Sequence, residues 1–266
     1  MRASSSSAVL LVSVTADATS LDHASRQPLT TAAESTLELL VENDIAATWG
    51  CRSPIDFPLV SAIVANEPRQ AMAVTLTHDG GALMAEQLRR ETLRARAGGL
   101  RLTTVFARKA LSTESYQLLA KYGMSALHVA AQGAGDRAST SRIRRAGQWL
   151  LPMAARSSAV PQKLRWGLWR MPQAISLTNE GAWRVRHAID RAVATADMIH
   201  LEIDLASVSA GARRPAEDLG SVVRQISSYS RQGGLQTQTL VTAATILSQP
   251  RHTAAPACSI LRRQAA

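Results

Sequence analysis

An irregular (β/α) barrel of about seven parallel strands is the α/β fold class that this sequence predicts, and three observations carry it. The first is the run Val9-Leu10-Leu11-Val12-Ser13-Val14-Thr15-Ala16-Asp17, which is apolar on both faces until it ends on an acid. Parallel strands covered by helices on both sides read in this way. The second is a regular alternation of such runs with amphipathic stretches, joined by turns of a few residues. The third is size: 266 residues with 46% hydrophobic content suffice for one large core, and no internal repeat or linker divides them. Residues 1–248 are therefore read as one domain with a basic insertion at 132–170, followed by a tail at 249–266 that is expected to be disordered.

The elements follow in order. After the first strand, Thr31-Ala32-Ala33-Glu34 has the form of a capping box, and Leu37, Leu40 and Val41 then recur at helical spacing. Ile45 to Trp49 is the second strand, which completes a βαβ unit. A loop around Pro54 and a short helix from Leu59 to Ala65 lead to a third strand, Ala71 to Thr77, ending at His78-Asp79-Gly80-Gly81. Leu83 to Ala97 carries Glu86, Arg89, Arg90, Glu91 and Arg94 at pairing distances along a helix, and Gly98-Gly99 stops it. Leu102 to Ala107 is a fourth strand, Ser112 caps a helix ending at Gly123, and Ala126 to Ala130 is a fifth strand. The rhythm breaks at Gln132 and resumes with a short strand at Ala174 to Leu177 and a helix from about Gly181 to Ala196. Met198 to Asp204 is again a strand with its acid at the end, followed by a helix to Arg231, a strand from Leu235 and a last short helix.

Thirty basic residues against twenty acidic give a formal charge of +10, and Lys109, Lys121 and Lys163 are the only lysines. An arginine-rich composition of this kind follows from coding bias as readily as from a polyanionic partner. No acid stands between Asp136 and Glu180, while Arg137, Arg142, Arg144, Arg145, Arg156, Lys163, Arg165 and Arg170 do. Trp149, Trp166, Trp169 and Trp183 lie in or beside that region. It reads either as a tryptophan-packed lid with solvated arginines or as a surface for nucleic acid or another polyanion. Cys51 and Cys258 are too far apart in sequence to suggest a metal motif or a disulfide framework, which makes a reducing cytoplasm the expected location. Met1 to Val14 faintly imitates a signal peptide, but the strand reading is preferred, and no run approaches the roughly 20 apolar residues of a membrane span.

The order of strand, acidic loop, helix and Ala47-Thr48-Trp49 resembles the opening of the polysaccharide deacetylase (NodB-homology) family. Trp166-Gly167-Leu168-Trp169-Arg170-Met171-Pro172 is similar to a segment of some bacterial relatives, and Ile199 to Asp204 resembles the family's late Leu-x-His strand. The resemblance implies Asp17 as catalytic base, His78 as a metal ligand, and His200 and Asp204 at the positions of the two histidines of the late strand. It implies zinc if the protein is active, because in that family the metal polarises an amide carbonyl and activates water. The set is incomplete: Ala18 and Thr19 stand where a metal-binding acid belongs, and Ala82 where a second histidine belongs. No resident cofactor is thus the first expectation. Asp22, His23, Asp79, Trp49, Trp166, Trp169 and Arg170 complete the candidate cleft.

Each candidate also has a structural reading. Asp17 caps a helix or pairs with an arginine, His78-Asp79 makes a turn, and His200 is an ordinary strand histidine. Three functions follow. The first is a catalytically degenerate deacetylase-like protein that keeps a cleft for a glycan or N-acylated ligand; the second is an active metal-dependent hydrolase of C–N amide bonds; the third is a basic module binding a polyanion through Arg137 to Arg170.

Overall fold

The structure, a computed structural model, describes residues 7–16, 23–130, 160–209 and 213–249, without the side chains of 23–26 and 213–215. Its centre is β1 (Ala8–Thr15), the apolar run that opens the chain. Leu10, Leu11, Val12 and Val14 are all fully buried. β9 (Met198–Asp204) pairs with β1 along one side, from Val9 to Thr15. The other side is shared: β10 (Leu235–Gln238) takes Ala8 to Leu11, and β2 (Ala47–Cys51) takes Ser13 to Thr15. Thr237 holds the junction, accepting from the Ala46 amide at 3.0 Å.

Beyond β2 the sheet continues through β3 (Gln70–Thr75), β4 (Thr104–Ala107) and β5 (Ala126–Val129). β8 (Ile175–Ser176) extends it on the far side of β9. All these pairs are parallel, as the alternating pattern predicts. The result is a curled, mostly parallel sheet with helices packed around it, the irregular barrel expected from the sequence. The curl is steep. Five strand spacings separate β5 from β9, roughly 24 Å in a flat sheet. Yet the His128 and His200 rings of these strands lie 4.6 Å apart.

The helices are α1 (His23–Glu42), α2 (Val60–Ala65), α3 (Gly81–Ala97), α4 (Thr113–Lys121), α5 (Leu177–Glu180), α6 (Ala182–Thr195), α7 (Leu205–Ser209), α8 (Arg213–Arg231) and α9 (Leu240–Ser248). Most cover the convex face, where Leu10, Val12, Val14, Val74, Val105, Leu127 and Leu201 join one large core with Leu37, Leu88, Ile189 and Val222. α9 instead enters the concave face, packing Leu240, Ala243 and Ala244 against Leu11, Ala73, Phe106, Ala126 and Met171.

Two elements depart from the sequence reading. Thr31 does not cap α1, which starts at His23 and runs through Pro28. Leu29, Ala33, Leu37 and Leu40 form a buried stripe at spacings of four, four and three, so packing continues the helix past the local stop signal. The second departure is the end of the basic insertion. Gln162–Lys163 (β6) and Trp169–Arg170 (β7) form a hairpin whose second strand adds to β5. β5 would otherwise be an edge, and β7 satisfies it: Trp169 N donates to Ser125 O at 2.8 Å and Met171 N to Leu127 O at 2.9 Å. Residues 132–159 of the insertion and the tail from 250 lie outside the described residues.

Candidate functional site on the concave face

Side chains alternate across a strand, so Leu11, Ser13 and Thr15 share the concave face. The same alternation brings Thr75, Thr104, Phe106, His128, His200 and Glu202 inward from β3, β4, β5 and β9. The face changes character along its length. Under α9 it is apolar, whereas beside that contact it carries buried hydroxyls, two imidazoles and, nearer the carboxyl ends of β1 and β9, the Glu202 carboxylate. In parallel sheets that end is where ligands bind, because loops rather than helices cover it. Gly50 makes room for the arrangement: a Cβ there would lie 2.1 Å from the Phe106 ring. Phe106 in turn meets His128 edge-on at 4.8 Å.

His200 is fully engaged. Its Nδ1 lies 2.9 Å from the Pro172 carbonyl and its Nε2 3.1 Å from Ser13 Oγ. A carbonyl only accepts, so Nδ1 carries the proton and Nε2 accepts from the serine hydroxyl. Burial, reinforced by the neighbouring His128, pushes the His200 pKa down to about 3, against the pull of the Pro172 carbonyl and Glu202. His200 is therefore a neutral imidazole at ordinary pH.

His128 contrasts with it. The residue is fully buried, and neither ring nitrogen has a hydrogen-bond partner among the described residues. Its Nε2 lies 3.7 Å from Glu202 Oε1, an ion-pair distance too long for a hydrogen bond. Glu202 is 8% exposed and accepts from Thr15 Oγ1 at 3.2 Å. Burial opposes its ionisation, but the two imidazoles and the Thr15 hydroxyl outweigh burial and hold the carboxyl below its usual range. Thr75 and Thr104, on the strands between, also have buried hydroxyls without partners among the described residues.

The candidates taken from the sequence fall in different places. Asp204 ends β9, where its oxygens accept from Ala206 N at 3.1 Å and from Ser207 Oγ at 2.6 Å, starting α7. His78 and Asp79 are exposed in the loop after β3, and Asp79 pairs with Lys109 Nζ at 2.5 Å. Trp49 is fully buried on the convex side, donating to Gln70 Oε1 at 2.9 Å. Trp166 is 47% exposed at the hairpin turn, Trp169 donates to Ser248 Oγ at 2.8 Å, and Arg170 is half-buried in β7. Asp17, Asp22, the side chain of His23 and Arg137 to Arg156 lie outside the described residues. Among the described residues no three histidine, cysteine or acidic side chains form a group that could hold a metal ion. Among the described residues His78 therefore has no three-ligand group of the kind a resident zinc needs.

His128 and Glu202 were not singled out by the sequence reading. The available signal was the alternation Ser13-x-Thr15 facing His200-x-Glu202, polar residues replacing aliphatic ones on one face of buried strands.

The fold is shared with solved structures. Over 91% of this chain and 90% of the other, it superposes with a TM-score of 0.63 and 11% identity on a protein assigned as a polysaccharide deacetylase from Mycobacterium smegmatis. The chain has the polysaccharide deacetylase fold. A 4-α-glucanotransferase from Thermococcus litoralis also matches, with a TM-score of 0.60 and 13% identity over 92% of this chain and 41% of that one. No family model and no curated protein matches the sequence. The deacetylase fold was thus legible in short phrases and strand order where whole-sequence similarity is absent. No helix among the described residues is long and apolar enough to cross a membrane.

Proposed function

We propose that this chain is a catalytically degenerate, polysaccharide deacetylase-like protein that keeps a cleft for a glycan or another N-acylated ligand. The observation that carries the reading is the polar floor at the carboxyl ends of β1, β5 and β9, where His128 is buried without a partner beside the Glu202 carboxylate. An unpaired buried polar group costs on the order of 1–3 kcal/mol, and a bound hydroxyl or amide offsets that cost. His200 is held neutral by its surroundings and acts as a positioning residue, fixing Ser13 and packing against His128. The described metal-ligating side chains are dispersed, which favours binding over metal-dependent hydrolysis.

Titration of the full chain with the tetramer of N-acetylglucosamine, together with an acetate-release assay and elemental analysis for zinc, tests this reading. Saturable binding that survives a chelator, without acetate release, is the expected result. About one zinc per chain, lost in His78→Ala and accompanied by acetate release, would replace the reading with an active amide hydrolase. Absence of binding would overturn the cleft itself.

A further inference from the structure

The polar floor is built around a carboxylate that no lysine or arginine pairs with among the described residues. Among the described residues the one ion-pair contact of Glu202 is His128 at 3.7 Å, and its side chain retains 11% exposure. Its Oε1 meets Thr15 Oγ1, and Oε2 forms no hydrogen bond among the described residues. Beside it on β5 stand both unpartnered nitrogens of His128, and the same face of β3 carries the unpartnered Thr75 hydroxyl. Thus the carboxylate faces hydroxyl and imidazole groups able to donate and accept. The charge of +10 belongs to the molecule as a whole, and arginines on the surface are screened beyond about 8–10 Å at physiological salt.

A ligand that satisfies this floor brings donors to the carboxylate and hydroxyls to the surrounding atoms. An ammonium group presents three donors and a full charge, and hydrogen bonds between ionised partners are roughly twice as strong as neutral ones. An N-acetyl group offers one donor, no charge and extra bulk at the same point. A carboxylated or sulfated sugar brings a like charge to a buried carboxylate.

We infer that the cleft selects sugars carrying a free amine over their N-acetylated and anionic counterparts, with Glu202 receiving the ammonium group and His128 hydrogen-bonding an adjacent hydroxyl. The inference rests on the glycan-cleft reading above and names its ligand class.

Calorimetric titration of the full chain with glucosamine tetramer, N-acetylglucosamine tetramer and a glucuronate-containing tetrasaccharide tests it, in the wild type and in Glu202→Gln. In the wild type the free-amine tetramer is expected to bind about tenfold more tightly than the acetylated one, with the anionic sugar weakest. Glu202→Gln is expected to abolish the preference, bringing the free-amine tetramer to the same affinity as the acetylated one. Equal or inverted affinities in the wild type would overturn the inference and leave the cleft reading standing, and this comparison requires no variant to fold. A preference that survives in folded Glu202→Gln would overturn the role of Glu202. Failure of all three sugars would overturn both readings.

Discussion

Two neighbouring parts of the concave face are built on opposite principles. Beneath α9, Leu11, Ala73, Phe106 and Ala126 meet Leu240, Ala243 and Ala244. Beside that contact the same strands and β9 bury Ser13, Thr75, Thr104, His128, His200 and Glu202, several of them incompletely bonded. One chain thus shows both a dry plug that closes the fold and a polar floor that adds little to stability. Buried polar groups are favourable only when their bonds are made, so the incomplete end is where function is to be sought.

Truncation beneath α9 sharpens the contrast most. Leu11→Ala removes a fully buried side chain from under α9 and is expected to cost about 3 kcal/mol, read as a lowered urea midpoint with an unchanged slope. A cost under about 1 kcal/mol would show that α9 does not pack tightly there. Acid is the next lever. His200 has a folded pKa of about 3 against 6.5 unfolded, so between those values the unfolded chain binds more protons. Stability attributable to this residue is full above pH 6.5 and falls as pH drops, by about 2 kcal/mol between pH 7 and pH 5. Glu202 loses its contribution in the same direction, but only below its unfolded value of 4.5. Urea midpoints at pH 7 and pH 5 should therefore converge in His200→Gln; an unchanged difference would place the sensitivity elsewhere.

The fold was more legible than the site, for physical reasons. β1, β3 and β9 are long apolar runs whose burial on both faces leaves a strong sequence signal. β6 and β7 are only two residues each, and their hairpin turns through Trp166 and Gly167 at positive φ, 61° and 80°. No periodicity can register in so short a strand; the Trp166-Gly167 pair was the available mark of the turn. At the site, the resemblance to a known motif drew the reading to His200 and Asp204, where the motif's histidines would stand. The structure shows Asp204 capping α7, and brings His128 to Glu202 from positions 74 residues apart in sequence, a juxtaposition made by the curl of the sheet. A sequence read strand by strand does not contain that curvature.

Smaller effects separate the structural residues of the polar end from the others. Asp204→Ala removes the acceptor of the Ala206 amide and Ser207 hydroxyl and is expected to cost about 1 kcal/mol in thermal or urea unfolding, as other helix caps do. If the loss is of this size and sugar binding is unchanged, Asp204 supports the end of β9 and has no part in the cleft. A larger loss of binding than of stability would return it to the site.

The smallest effect on stability is expected at the most buried histidine. An ordinary core residue is destabilising to replace, but His128 has two ring nitrogens that no described residue satisfies. His128→Leu keeps a similar volume, removes both unpaired atoms and places an aliphatic side chain against Phe106. The expected change in the urea midpoint lies between zero and a gain of about 1 kcal/mol, while affinity for the tetrameric sugars falls. A stability gain combined with a binding loss is the signature of a residue kept for its ligand, since packing alone would select the leucine. If His128→Leu instead destabilises by 2 kcal/mol or more, on the scale of a lost buried hydrogen bond, then His128 belongs with His200 among the structural residues. The contrast between the two parts of the concave face would then reduce to Glu202 and the threonines.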